Sequence, residues 1–103
     1  MGKNRVIKIL GNVIGNIVVH KILVGHTNKP ESLNHLESEV EAYRDNALGI
    51  VNKFNWNEED KKKIKLESFK KFKKDIEKYY NDVKFPMKEA EKLIEKTLME
   101  IIA

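Results

Sequence analysis

Cysteine and glutamine are absent from the 103-residue chain, and proline occurs only twice. Without thiols there are no disulfides, thiolate zinc sites, iron–sulfur clusters or cysteine nucleophiles, and the expected compartment is a reducing cytoplasm. Nitrogen ligands are confined to His20, His26 and His35. Enzyme motifs are missing too. The chain has no phosphate loop, Gly-x-Ser-x-Gly, His-Asp dipeptide, Glu-x-x-Glu pair, Glu-x-x-His di-iron signature, or Arg followed four to six residues later by His. No catalytic residue and no cofactor are expected, and an enzyme is the less favoured reading.

Acidic side chains are missing from the first 25 residues, which carry Lys3, Arg5, Lys8 and Lys21. Overall 20 basic side chains face 16 acidic ones, for a net charge of +4, a balance that permits an anionic partner without requiring one. There is also no uninterrupted apolar run. Val6 to Val24 is strongly apolar, but Lys8, Asn12, Asn16, His20 and Lys21 break it at regular intervals. A lysine at mid-bilayer costs about 2.5–3.5 kcal/mol, so neither a membrane span nor a secretory leader is expected. Lysine, glutamate and isoleucine are abundant and ten residues are asparagine. Lys/Glu enrichment is a hyperthermophile signal and abundant asparagine argues against it, so the bias reads as that of an AT-rich, archaeal coding sequence.

What remains is helical periodicity. In the first segment apolar pairs recur at spacings of three to five while Asn4, Lys8, Asn12, Asn16 and His20 form one polar stripe, which predicts a helix over 3–24. The alternative is a β-hairpin, because the segment is rich in Val and Ile and contains the turn-competent pairs Gly11-Asn12 and Gly15-Asn16. Gly25 terminates this element, and Asn28, Pro30 and Glu31 mark the start of a second helix over 29–54 with the seam Leu33, Leu36, Val40, Tyr43, Ala47, Ile50 and Phe54. Gly49 is its weak point. Asn57 caps a third helix over 58–81, with Glu58, Glu59 and Asp60 in its first turn and a seam of Phe69, Phe72, Ile76, Tyr79 and Val83. That register carries Lys62 and Lys65 to core positions, so the first turns must lean out or pack differently. Phe85-Pro86 breaks the chain and opens a fourth helix over 86–102, with Met87, Ala90, Ile94, Thr97, Leu98 and Ile101 inward. No repeat or linker divides residues 1–103, and the short connections favour one all-α domain, an up-down-up-down four-helix bundle.

Three features are candidates for function. The first helix is apolar over more than half its circumference, and Gly11-x-x-x-Gly15 lets another backbone approach closely. Gly11, Ile14, Gly15, Val18 and Ile22 are therefore candidates for a homo-oligomer or protein-partner interface, with internal packing as the competing reading. The end of the fourth helix, where Leu98, Met99, Ile101 and Ile102 crowd together, is a second such surface. The lysine run that includes Lys70, Lys71, Lys73 and Lys74 is a candidate nucleic-acid surface, against which Phe69 and Phe72 fall on the inward seam and Glu67, Asp75 and Glu77 dilute the charge. His20, His26, His35 and Glu39 are candidate metal ligands if the ends of the first two helices converge. The leading expectation is a non-catalytic interaction or adaptor protein that self-associates through the first helix; the alternative is a basic accessory protein on nucleic acid.

Overall fold

A computed structural model describes residues 2–26, 33–80 and 84–102, and of these the side chains of 33–37 and of Tyr79 are outside the description. Four helices make up the bundle: α1 Lys3–His26, α2 Leu33–Val51, α3 Glu58–Tyr79 and α4 Met87–Ile102. No strand occurs among the described residues, and the hairpin alternative fails because no glycine takes the positive φ that its turn requires. Gly11 and Gly15 instead continue α1 unbroken.

The connections follow from local chemistry. The expected start of α2 at Asn28, Pro30 and Glu31 lies outside the described residues. At its other end α2 stops at Val51, short of the expected 54, because the chain tightens: Lys53 N–H donates to Ile50 O and Phe54 N–H to Val51 O. Asn57 then caps α3. Its side chain accepts from Asp60 N–H at 2.8 Å while the Asp60 carboxylate accepts from Asn57 N–H at 3.3 Å, a capping box with Asp at the third position. Pro86 O accepts from Glu89 N–H as α4 begins.

α1 is the central element. Leu10, Ile14, Val18 and Ile22 have no exposed surface, and α1 packs on all three other helices. A helix apolar nearly all round has to be covered nearly all round. By length and hydropathy (1.6) it also qualifies to cross a membrane, and 67% of the qualifying stretch is buried inside the bundle.

Chain direction alternates, yet the neighbours are not those of a simple meander. Lys3 meets Asp60, Gly11 meets Glu67 and Gly15 meets Lys71, so α1 and α3 run parallel in a constant register. α4 runs against α1, as the pairs His26–Glu89 and Lys21–Thr97 show. Among the described residues α2 and α3 do not touch. α1 and α4 lie between them, each in contact with both, and the 52–57 connection joins the two outer helices.

The close approach of α1 and α3 sets which face of α3 is buried. A Cβ on Gly11 would lie 2.4 Å from Glu67 Cβ, and one on Gly15 would lie 2.8 Å from Lys71 Cβ and 3.0 Å from Ser68 O. The small side chain opposite the glycines is Ser68, fully buried, its hydroxyl donating to Ile64 O at 2.7 Å. The core line of α3 is consequently Ile64, Ser68 and Phe72, four residues apart, with Phe69 and Ile76 only partly covered. The expected seam holds at Phe72 and shifts to Ser68 and Ile64 in the first turns, which turns Lys62 and Lys65 out to solvent; the Tyr79 side chain and Val83 lie outside the described residues. Met87 is likewise not inward but 45% exposed, since Phe85 takes the place against Phe72, ring centroids 5.6 Å apart.

Candidate functional site

The residues singled out on α1 lie inside the molecule. Gly11, Ile14, Gly15, Val18 and Ile22 are all buried, and the Gly-x-x-x-Gly stripe is occupied by α3 of the same chain. The surplus of apolar surface that suggested an interface is covered internally.

The histidines go separate ways. His20 Nδ1–H donates to Asn16 O at 2.8 Å, its Nε2 pairs with the Glu39 carboxylate on α2, and Tyr43 stands edge-on to the ring. His26 Nε2 pairs with Glu89 of α4 at 2.9 Å, beside Phe85. The fold thus joins His20 to Glu39 and sends His26 to another carboxylate, while the His35 side chain is outside the described residues. Among the described residues no three His, Cys, Asp or Glu side chains gather as a metal would need.

The α3 lysines divide in two. Lys71 is tied to Asp75 at 3.2 Å and Lys70 lies 3.9 Å from Glu67. Lys73 and Lys74 are exposed and, with Lys70, Glu77 and Lys78, surround the partly covered Phe69 on an open surface. Solvated lysines along a helix face make no enclosed site.

Two ionisable groups are shifted by their surroundings. The Lys3 ammonium bonded to Asp60 holds that carboxyl below its usual range; partial burial opposes this and the Asn57 N–H adds to it. Burial lowers the pKa of Lys21, against the raising influence of Glu100, and the nearby Lys96 and Arg44 push the same way as burial. Lys21 Nζ donates to the buried Thr97 hydroxyl at 3.1 Å. Both groups lie in interhelical contacts that hold the bundle together.

The remaining feature is a groove between α3 and α4. Leu66 is 56% exposed and Met99 is 67% exposed. Each stands over a depression lined by Lys62, Lys65 and Glu95, so the two depressions form one continuous groove. Its floor is apolar, made by Phe69, Leu98 and Ile102. Its α3 bank carries Lys62 and Lys65, its α4 bank Glu91 and Glu95, and Lys65 reaches across to Glu95. At its far end Glu58 pairs with Lys61.

No protein-family model, curated protein or solved structure matches the chain.

Of the residues crowding the end of α4, Leu98, Ile101 and Ile102 are buried and Met99 alone points out. Leu66 is the residue that sequence reasoning missed. It falls off the expected α3 seam, but so does Ile64, which is fully buried, so spacing alone did not mark it.

Proposed function

We propose that this chain is a non-catalytic helical interaction protein that associates with a second copy of itself through the α3–α4 groove. The observation that carries the reading is the placement of Leu66 and Met99, large apolar side chains more than half exposed, on one groove with an apolar floor and charged rims. An apolar centre ringed by polar residues is the anatomy of a protein–protein interface. The surface differs from the one suggested by periodicity, because α1 is already covered.

Sedimentation equilibrium over about a thousandfold range of concentration, up to about 1 mM, tests it. A concentration-dependent dimer is expected, weakened by Leu66→Asp and by Met99→Asp with the helical content unchanged. A monomer at every concentration overturns the reading. If random-sequence RNA binds instead, with affinity falling steeply with salt and lost on changing Lys70, Lys73 and Lys74 to Glu, the exposed α3 face belongs to nucleic acid.

A further inference from the structure

The charge pattern of the groove goes further than the presence of an interface, because it discriminates between the ways two copies can meet. A pair of identical chains that closes on itself does so about a two-fold axis, which places one patch on its own copy. Two antiparallel helices packed face to face on their copies can do this in two ways. An axis perpendicular to the helices sets α3 on α3 and α4 on α4. An axis parallel to them sets α3 on the partner's α4.

The first arrangement brings Lys62 and Lys65 against their own copies and Glu91 and Glu95 against theirs, and like charges facing one another across an interface are strongly unfavourable. The second reverses this. It lays the lysine bank of each copy on the glutamate bank of the other, and because a rotation about an axis along the helices preserves height, residues level within one chain stay level across the dimer. The ion pair between Lys65 and Glu95 shows that these two are level. Lys92 and Lys96 lie on the surface that adjoins Glu95 and Met99 further round α4, and they do not line the groove itself. We propose that the groove docks a second copy of this chain about a two-fold axis parallel to the helices, so that Lys62 and Lys65 face the partner's Glu91 and the partner's Glu95 and the exposed Leu66 and Met99 are covered between them. This rests on the self-association proposed above and adds its geometry.

The test uses two charge-swapped full-length chains, Lys62→Glu/Lys65→Glu and Glu91→Lys/Glu95→Lys, studied singly and mixed by sedimentation. In the first, positions 62, 65, 91 and 95 are all negative, and in the second all four are positive. Each alone is expected to dimerise at least about tenfold more weakly than the wild type, and an equimolar mixture to recover a heterodimer of near wild-type affinity. Recovery cannot come from within a chain, since each carries its own mismatched groove in the mixture. Opposite grooves attract in either arrangement, so the axis is read from the single chains: if the wild type dimerises and each swapped chain alone dimerises as tightly, the two-fold proposed here is wrong while self-association stands; if the wild type is a monomer, both fall. Should either swapped chain fold poorly, the absence of native cysteine offers a second route. Lys65→Cys mixed with Glu95→Cys is expected to form a disulfide heterodimer under mild oxidation in preference to either homodimer, whereas Lys65→Cys homodimers as the main product would overturn the arrangement.

Discussion

Two glycines in this chain have opposite roles, and the difference is a matter of neighbours. At Gly11 a methyl group would collide with Glu67 Cβ and crowd the α3 backbone at 3.2 Å, whereas at Gly49 nothing lies within 4 Å. Overpacking costs about 1–3 kcal/mol, more than the roughly 1 kcal/mol that alanine gains over glycine inside a helix. Gly11→Ala is therefore expected to lower the urea midpoint and Gly49→Ala to raise it, each at unchanged m-value. Gly11→Ala as stable as the wild type would contradict the close α1–α3 contact. Asp60 supplies a pH test. Its folded pKa lies below the ordinary value of 3.8, so the stabilisation is complete above that value and is lost as pH falls through the folded pKa. Lys3→Met is expected to flatten the decline in stability below pH ~4, as chemical denaturation across that range would show.

At the scale of elements, the helices were readable wherever a local signal determines the outcome. Asn57 with Asp60 announced the start of α3, and the expected boundary at 58 is the observed one. Asn57→Ala is expected to cost about 1 kcal/mol, measurable by thermal or urea denaturation. Pro86 marked α4 equally well, and Ala90, Ile94, Thr97 and Ile101 point inward as their spacing requires. On α3 periodicity found Phe72, which is fully buried, and Phe69 and Ile76, which pack at the edge of the core, but it missed Ser68. A serine reads as surface when taken alone. It is buried here because two glycines on α1 leave room only for a small residue opposite, and that pairing joins positions more than fifty residues apart. The same long-range fact explains the site. Gly11, Ile14, Gly15, Val18 and Ile22 looked like an interface, and they are buried within the single chain, the two glycines against α3.

For the molecule as a whole, covering α1 leaves Leu66, Met87 and Met99 as the exposed large apolar side chains among the described residues, and two of these, Leu66 and Met99, lie between α3 and α4. Leu66 on α3 and Met99 on α4 stay outside the contacts that cover α1. Association through such a groove should respond to apolar and charged changes differently. Leu66→Asp is expected to raise the dissociation constant at any ionic strength, while the loss caused by Lys62→Glu/Lys65→Glu should shrink as salt screens it over a Debye length of about 8 Å at physiological strength. Equal losses at low and high salt would show that charge has no part in the contact.

The parallel α1–α3 contact also determines the order of events at synthesis. Gly11 meets Glu67, so α1 emerges from the ribosome some 56 residues before the helix that seals its glycine face. At about 5–20 residues per second that interval is about 3–11 s. During it the most apolar helix of the chain has α2 alone to lean on. The close α1–α3 contact thus forms only well after α1 is made, and the contact with α4 later still, so the nascent chain passes through a stage in which its future core depends on α2 or a chaperone for cover.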